Sequence, residues 1–568
     1  MKLRLVFSLI FLLASSLLRA QVLEGLAGNA QLQREAEIRF MDGLKSLMLD
    51  KQDEAAVSFE KSLDLNPSNA AAHFKLAEIQ AERNQYSEAL KHLSEAVRLE
   101  PRNHFYLELL AEVQDLSGEW KSAIKTWRKI AALPDQDPER IRLSVARIYI
   151  DQKKYKDAIN ELNQCQKEIG PTQDLYQFRI NLYLKQNDLK AAIAEGEEMI
   201  KAFPEDPESR ASLCRILISN EKFSEAKKQT LELLNRFPDF AAAHLMLADI
   251  FLQEKNEKAA FEELCKAFAS PDLPSESKIE IVAGYLRGAL SPEEQEQAME
   301  LCDILVKTHP GEARPFIVRG DVLNQAGKAS EAREMYLIAR QRDRNNFALW
   351  EQLVLIDLRL NQIDSLVNHS TEAMMLFPNT ASFSFYNGMA LLMQKKYEPA
   401  TQSLEQAGRI ALDNPSMQRE IYSQLGDAYY NLKQLDKSFS NYEEALALDS
   451  ADAHVLNNYS YFLSLEKTRL EKAVKLSSRL VALFPDNATY MDTHGWVLYQ
   501  TSRYSESLVY LEKASRASGS GVIWEHYGDA LFRNGRESDA EAAWKKAQDL
   551  GGGTSPDLPA KIRDRKVY

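Results

Sequence analysis

The chain has 568 residues, and its 83 acidic and 70 basic side chains give it a formal net charge of -13. Nucleic-acid affinity rests mainly on neutralised phosphates, and adsorption to anionic lipid needs clusters of basic side chains. The excess of acid therefore argues against both of these partners and favours basic segments of other proteins.

The first twenty residues have the composition of a secretion signal. Lys2 and Arg4 precede an apolar run over residues 5–18, and Ala20 is a small residue before the expected cut. The run is shorter than the ~20 apolar residues that a membrane span needs, which favours cleavage. We therefore predict a signal peptide over residues 1–20 and an N-terminal linker over residues 21–33.

Cleavage would remove Lys2, Arg4 and Arg19 and change the formal net charge from -13 to -16. Leu18 and Arg19 are unusual just before a cleavage site, so an uncleaved anchor stays an alternative. No later stretch is long and apolar enough for a span. A signal that ends in Arg-Ala-Gln resembles those of exported Gram-negative proteins, and the resemblance implies a periplasmic or cell-envelope location.

Alanine recurs about every 34 residues through most of the chain. The series is Ala55, Ala89, Ala123, Ala158, Ala192, Ala226, Ala260, Ala298, Ala332 and Ala400. Prolines mark a second position of the same repeat, at Pro67, Pro101, Pro204, Pro238, Pro310, Pro378 and Pro485. A fixed period of this length predicts a stack of similar helical units, whose function is expected on its surface.

Each unit has the pattern of two amphipathic helices. In the second unit, residues 70–81 show apolar side chains at helical spacing, a break follows at Asn84-Gln85, and a second helix is predicted from about Tyr86 to Leu99. Pro101 then ends the unit, because proline donates no amide hydrogen bond. No strand-like alternation of comparable length occurs, so the chain is predicted to be all-α.

These features resemble the tetratricopeptide repeat. That family has a small residue at position 8, alanine at positions 20 and 27, a large residue at position 24 and proline at position 32. The matching residues include Gly43, Ala55, Phe59 and Pro67 in the first unit, Gly320, Ala332, Tyr336 and Ala339 in the ninth, and Gly528, Ala540, Trp544 and Ala547 in the last. The resemblance implies a right-handed superhelical solenoid of about fifteen helix-turn-helix repeats.

Two steps between equivalent positions are longer than the others. The step from Ala260 to Ala298 and the step from Ala400 to Ser438 are each 38 residues. We expect the extra residues at Pro271–Pro274 and at Asn414-Pro415, where longer connections could divide the array. The predicted blocks are 34–272, 275–412 and 415–550, followed by a C-terminal tail over residues 551–568. Its basic run over residues 561–566 is expected to be a solvated end and not a nucleic-acid arm.

The sequence offers no group of residues typical of a catalytic, metal or cofactor site. The nine histidines are scattered, and neither a zinc-protease pair nor a glycine-rich phosphate loop occurs. We therefore predict no catalytic residues, no metal and no cofactor. Four cysteines, Cys165, Cys214, Cys265 and Cys302, match no zinc spacing and are expected to be buried thiols, with a disulfide between neighbouring units as the alternative.

The resemblance implies a concave groove, lined by positions 2, 5, 9 and 12 of each first helix. The early groove is acidic, with Glu78, Glu108, Glu112 and Asp115. The late groove is aromatic and polar, and it is our predicted partner-binding site: Ser423, Asp427, Tyr430, Asn457, Tyr461, Asp492, Trp496, Tyr499, Glu525, His526 and Asp529. Clusters of Trp and Tyr among polar residues often anchor protein partners. The alternative is that these side chains pack between neighbouring first helices.

We therefore expect an exported scaffold, not an enzyme, that binds protein partners or extended peptide segments in envelope assembly or export. The alternative is an enzyme or accessory subunit that acts on cell-wall peptide or polysaccharide. It would require Asp492, His494, His526 and Asp529 to converge with shifted pKa values. The repeat register directs His494 to the core and the others to the groove, so convergence is not expected. The sequence does not indicate an oligomeric state.

Overall fold

The structure is a computed structural model, and it describes residues 29–288 and 291–568. Within those ranges the regular structure consists of 31 helices and contains no strand, which confirms the predicted all-α class. The first helix, α1, covers residues 29–48. The others are α2 (Gln52–Leu65), α3 (Ala70–Glu82), α4 (Tyr86–Leu99), α5 (His104–Leu116), α6 (Trp120–Ala131), α7 (Pro138–Asp151), α8 (Tyr155–Ile169), α9 (Gln173–Lys185), α10 (Leu189–Ala202), α11 (Pro207–Ser219), α12 (Phe223–Arg236), α13 (Ala241–Gln253), α14 (Glu257–Ala269), α15 (Ser275–Tyr285), α16 (Pro292–Thr308), α17 (Arg314–Gln325), α18 (Ala329–Arg342), α19 (Phe347–Arg359), α20 (Ile363–Leu376), α21 (Ala381–Met393), α22 (Tyr397–Ile410), α23 (Pro415–Asn431), α24 (Leu435–Leu448), α25 (Ala453–Leu465), α26 (Leu470–Leu483), α27 (Ala488–Gln500), α28 (Tyr504–Ala517), α29 (Gly521–Arg533), α30 (Glu537–Leu550) and α31 (Leu558–Asp564).

The helices α1 to α30 form fifteen consecutive pairs, as the repeat count predicts. In the second pair, α3 and α4 match the two helices expected over residues 70–81 and 86–99. Asn69 caps the first helix, because its side chain accepts a hydrogen bond from the amide of Ala72. One helix of such a pair cannot bury its apolar face alone, so each pair is stabilised mainly by packing on its neighbours.

One residue with positive φ separates the two helices of most pairs. Asp50, Asn84, Lys153 and Asn187 have φ of 57°, 59°, 56° and 58°, at intervals near the repeat length. Glycine serves in the same place at Gly118, Gly327 and Gly535. The sequence indicated a break there without fixing its geometry, because several residue types tolerate this conformation.

Close approach of the paired helices depends on glycine at position 8. A Cβ built on Gly528 would overlap the ring of Trp544, which is fully buried at position 24 of the same repeat. Gly320 and Tyr336 stand in the same relationship. The large residue therefore fills the space over its own repeat's glycine.

The chain divides into two compact units, one that ends at Ala267 and one that begins at Phe268. The division into blocks 34–272, 275–412 and 415–550 stays a prediction. The predicted signal peptide, and residues 21–28 of the predicted linker, lie outside the described residues. None of the helices in the described ranges is both long enough and apolar enough to cross a membrane.

The expected location of the extra residues is wrong for the second long step. Four residues join α22 to α23, as four join α2 to α3, and the insertion instead lengthens α23 to 17 residues. In the first long step five residues join α14 to α15, one more than in those connections, and α16 also has 17 residues. The insertions therefore mainly lengthen a helix.

The C-terminal tail is folded: helix α31 packs against α30, and its Leu558 and Lys561 are buried. The expectation of a solvated end is therefore wrong at Lys561, while residues 563–566 are exposed. Cys165, Cys214 and Cys302 are buried free thiols, as expected, and Cys265 is half-buried. Burial raises the pKa of Cys165 to about 11 and that of Cys302 to about 12.

Candidate functional site

One cleft in the second compact unit collects more than half of the predicted groove residues. It has a volume of about 520 Å³, and its walls come from α25, α27, α29 and the segment from Gly553 to Tyr568. Six of the eleven predicted residues line it: Tyr461, Trp496, Tyr499, Glu525, His526 and Asp529. We call this feature the aromatic cleft. Ser423, Asp427, Tyr430, Asn457 and Asp492 are not among its lining residues.

A stack of three rings forms one wall of the aromatic cleft. Trp496 lies parallel to Tyr499 with ring centres 4.9 Å apart, and its other neighbour is His526 of the next first helix at 3.9 Å. The indole Nε1 of Trp496 is shielded from solvent and has no hydrogen-bond partner in the described part of the chain. The stacked rings therefore hold α27 against α29. Packing between neighbouring first helices, the alternative to partner binding, accounts for part of the role of Trp496.

Asp492 binds the ring of His526 and holds it in the stack. Nδ1 of His526 lies 2.9 Å and 3.2 Å from the two carboxylate oxygens of Asp492, and both side chains are buried. Burial alone would lower the pKa of His526, but the charges of Asp492, Asp529 and Glu525 outweigh it and raise the pKa. The pair is therefore an ion pair between neighbouring repeats whenever His526 is protonated.

The far end of the cleft is closed by a lysine that the sequence analysis missed. Nζ of Lys561 donates to Glu525 at 2.8 Å and to Asp529 at 2.6 Å, and all three residues are at least nine-tenths buried. The backbone amide of Ser555 donates to Glu525 at 2.7 Å. Burial opposes the charge of Lys561, but the two carboxylates outweigh it and raise the pKa of the ammonium. The basic run over residues 561–566 was the only sequence signal for this contact.

Asp529 also serves the framework of its own repeat. Its carboxylate accepts a hydrogen bond from Nε1 of Trp544 at 2.9 Å. Tyr336 donates to Asp321 at 2.7 Å, and Tyr442 donates to Asp427 at 2.5 Å, with the same separation of fifteen residues. Position 9 therefore holds an acceptor for the buried aromatic at position 24, so Asp427 and Asp529 have a structural task besides any groove function.

Two of the remaining predicted residues pack between repeats. Tyr430 stacks on Phe462 of the next first helix, with ring centres 3.6 Å apart, and donates to Glu466 at 3.0 Å. Asn457 accepts a hydrogen bond from Thr493 at 2.8 Å. Ser423 is buried. All three residues lie on first helices as predicted, but the side chains of Tyr430 and Asn457 contact neighbouring first helices.

Two cations that the sequence analysis missed lie at the exposed side of the cleft. Arg533 donates through Nε to the hydroxyl of Tyr499 at 3.3 Å, and Lys467 lies nearby on the lining. Tyr461 is half-buried, and its pKa is raised by burial and then by the charges of Asp492 and Glu525. The open part of the cleft therefore combines aromatic surface with positive charge.

The acidic and histidine residues form two groups and not one. Asp492 contacts His526, while Asp529 and Glu525 contact Lys561 and act on His526 only through their charge. His494 stays apart, as the register predicts. It is buried beside Ser477 at 2.8 Å, and burial lowers its pKa to about 4. Over residues 29–288 and 291–568, no three potential ligands lie together as a metal site would need.

The acidic side chains of the early groove are mostly paired, in the first compact unit. Asp115 lies 4.0 Å from Arg147 of the next first helix, and Glu108 forms an ion pair with Arg140. Glu78 pairs with Lys75 at 2.6 Å within its own helix. These carboxylates are therefore partly neutralised before any partner approaches.

Models of known families match several stretches of these helix pairs. Three models described as "Tetratricopeptide repeat" match residues 49–113 and 183–250, residues 420–452, and residues 493–553. A model described as "Anaphase-promoting complex, cyclosome, subunit 3" matches residues 82–165. The chain is a tetratricopeptide repeat protein.

Curated proteins that share these repeats are distant. Protein O-mannosyl-transferase TMTC3 of Homo sapiens is 24% identical over 309 residues, which are 50% of this chain and 32% of that protein. Type IV pilus assembly protein PilF of Pseudomonas aeruginosa is 29% identical over 130 residues, which are 22% of this chain and 51% of that protein. The matches therefore span about half or less of each relative's own length.

Solved structures also match this chain, at low identity and low TM-score. The Cut9-Hcn1 hetero-tetramer of APC/C covers 83% of this chain and 98% of the matched chain, at 15% identity and a TM-score of 0.30. A tetratricopeptide repeat protein from Parabacteroides merdae covers 44% of this chain and 98% of its own, at 13% identity and a TM-score of 0.37. At these values the likeness says nothing about partners.

As a tetratricopeptide repeat protein, the chain has a scaffold fold suited to protein–protein interaction. Such a scaffold offers the surface of its first helices, and the aromatic cleft lies on three of them. Its half-buried rings and its fixed charges are the kind of surface on which a few side chains of a partner can bind.

Proposed function

We propose that this tetratricopeptide repeat chain is an exported scaffold that binds protein partners or extended peptide segments on its first-helix surface. The observation that carries the proposal is the aromatic cleft, in which Tyr461 and Trp496 stay partly exposed among polar groups. Partly exposed Trp and Tyr provide large contact area at low cost in side-chain entropy, and they dominate many protein interfaces.

The shape of the cleft suits a peptide better than a small molecule. It is open to solvent along one side, and its lining mixes rings with Lys467, Arg533 and Asp557. Small-molecule sites enclose most of their ligand and are mainly apolar. A segment of chain could place one or two side chains in the cleft while its backbone continues along the neighbouring first helices.

Envelope assembly or export is the setting that we propose for this scaffold. Residues 1–20 have the composition of a secretion signal, and the PilF relative is named as a pilus assembly protein. Both observations support a chain that works outside the cytoplasm. Fractionation of cells that express the full chain, with blotting of periplasmic and envelope fractions, tests this part; recovery in the cytoplasm alone would contradict it.

A second candidate is an accessory subunit or enzyme that acts on cell-wall peptide or polysaccharide. The contact of Asp492 with His526, near the charge of Asp529, favours it, and one distant relative is named as a transferase. However, Asp492 is bound to His526, and Asp529 is bound to Lys561 and Trp544, so each carboxylate already has fixed donors. Groups held in this way stabilise the repeat more readily than they transfer protons.

Pull-down from envelope extract tests the proposed scaffold. Two double variants of the full chain are compared with the wild type: Tyr461→Ala with Trp496→Ala in the cleft, and Tyr510→Ala with Trp524→Ala in the last two repeats but outside its lining. We expect the first variant to lose partners that the wild type and the second variant retain. If the cleft variant captures the same proteins as the wild type, the cleft is not the binding surface.

A further inference from the structure

We propose that Glu525 and Asp529 form a lysine-binding site, which Lys561 occupies from within the chain and a lysine of a partner segment can occupy instead. This inference deepens the proposed function, because it names one side chain that the first-helix surface would accept. The two carboxylates are on the first helix of the last repeat, at groove positions 5 and 9, and both line the aromatic cleft.

The site is built for a single ammonium group. The two carboxylate oxygens converge on Nζ from 2.8 Å and 2.6 Å, and Glu525 and Asp529 are 3% and 2% exposed. Trp544 donates to the Oδ1 atom of Asp529, and the Ser555 amide donates to Glu525, which fixes both groups. Two carboxylates that converge on one point suit the compact ammonium of lysine better than the planar guanidinium of arginine.

Lys561 is held in the chain differently from the side chains that bind the equivalent aspartate in an earlier repeat. At the equivalent position of α23, Asp427 accepts hydrogen bonds from His454 at 2.8 Å and from Asn458 at 2.9 Å. Both of those donors are on α25, a full helix of the next repeat. At Asp529 the equivalent donor is Lys561, which lies on α31, a helix of only seven residues. A short terminal segment is easier to displace than a helix with neighbours on both sides.

The connection to α31 is suited to such a displacement. Gly551, Gly552 and Gly553 follow α30 with φ of 64°, 73° and 85°, a conformation that other residues rarely adopt. Leu558 is buried near Trp544 and adds an apolar contact, while Arg563 and Lys566 have exposed side chains. Ile562 and Val567 pack on the same cluster, and Arg565 pairs with Glu541 of α30 at 2.9 Å. The segment is therefore held by a small set of side-chain contacts, with three glycines before it.

The charge of the whole molecule fits a basic partner. The chain carries a formal net charge of -13, which attracts basic segments before contact. Without an ammonium between them, Glu525 and Asp529 would be two buried carboxylates with no cation, which is strongly unfavourable. A lysine from elsewhere would remove that cost, whereas a neutral segment would not.

The test uses the tail itself as the probe. A fluorescent, acetylated peptide of residues 554–568 is titrated by anisotropy against the purified full chain, the Lys561→Met chain and the Lys546→Met chain. Lys546 is exposed on α30 and provides the control, whereas Lys545 shares Glu541 with Arg565 of the tail and is left unchanged. We expect the Lys561→Met chain to bind the peptide at least tenfold more tightly than the other two, because a tethered lysine competes at millimolar effective concentration.

Two further arms make the outcome decisive. The same peptide with Lys561→Met or Lys561→Arg should bind the Lys561→Met chain at least tenfold more weakly than the original peptide. A Lys561→Arg chain retains a cation and should also bind the original peptide more tightly than the wild type. Equal binding of the lysine and methionine peptides, or no gain in either chain variant, would overturn the proposal. Because no envelope partner takes part, this result is independent of the pull-down.

Discussion

The indole of Trp544 donates from Nε1 to the carboxylate of Asp529 at 2.9 Å, directly over Gly528. The glycine makes room for the ring, and the aspartate satisfies its polar atom. Gly320, Asp321 and Tyr336 repeat the arrangement, so a Gly-Asp pair followed fifteen residues later by an aromatic residue is one way in which this array builds a repeat. The buried ring thus loses neither packing nor a hydrogen bond.

The first prediction follows from the space above Gly528. The substitution Gly528→Ala should destabilise the last repeat by about 1–3 kcal/mol, because the added Cβ overlaps the buried Trp544 ring. Gly519→Ala is the control, since its Cβ would meet no atom within 4 Å. Hydrogen exchange of α29 and α30 measures both effects. Equal exchange rates in the two variants would show that the ring adjusts without cost.

The sequence predicts the helix pairs of this structure, but it does not predict which neighbours each side chain contacts. The alanine period and the Gly43, Phe59 and Pro67 pattern predict the helix pairs, because those residue types have one packing role in every repeat. The same register places the eleven predicted groove residues on first helices. It cannot predict whether a side chain faces solvent or the next helix, as for Tyr430, whose ring is covered by Phe462.

The sequence did not predict the contact of Lys561 with Glu525 and Asp529, and the reason is different. Lysine in a basic run is normally exposed, and only the fold of residues 551–558 brings it to Glu525 and Asp529. The tail carries no repeat pattern, so its position depends on long-range packing. Sequence periodicity therefore describes the array well but says little about the segment that closes its last repeat.

The second prediction concerns the ion pair of Asp492 and His526. The folded-state pKa of His526 is raised above its ordinary value of 6.5, so the pair contributes its full stability below pH 6.5 and loses it as the pH rises through the raised value. Asp492→Asn should therefore reduce protection of α27 and α29 by about 1–3 kcal/mol at pH 6.

The difference between the wild type and Asp492→Asn should become smaller in alkaline solution. Hydrogen exchange of the two proteins, compared at a series of pH values after correction for the intrinsic rate, measures it. A difference that stays constant from pH 6 to pH 10 would mean that the charge of His526 contributes nothing.

The third prediction concerns two histidines in the second repeat. Nδ1 of His73 lies 2.9 Å from Nδ1 of His92, and burial, then His73 and Lys91, lower the pKa of His92. A lowered folded-state pKa means that stability is present above pH 6.5 and is lost as the pH falls toward the lowered value. Protection of α3 and α4 should therefore decrease between pH 7 and pH 5.

The seventh repeat supplies the matched variant for this pair. There His244 lies 2.6 Å from Glu263, with the same spacing of nineteen residues. His92→Glu should reproduce that ion pair and remove the loss of protection in acid. Hydrogen exchange of α3 and α4 at both pH values measures the effect. A wild type whose protection is unchanged at pH 5 would show that the two rings accept a second proton without strain.

Crosslinking in living cells tests most directly the claim that the first-helix surface binds partners. A photoreactive amino acid replaces Tyr461, which lines the aromatic cleft without the ring stack that fixes Trp496, and in a second strain it replaces Val509, which is 51% exposed on α28. We expect discrete protein adducts from position 461 and few or none from position 509. No adduct at 461, or the same adducts at both positions, would contradict the account.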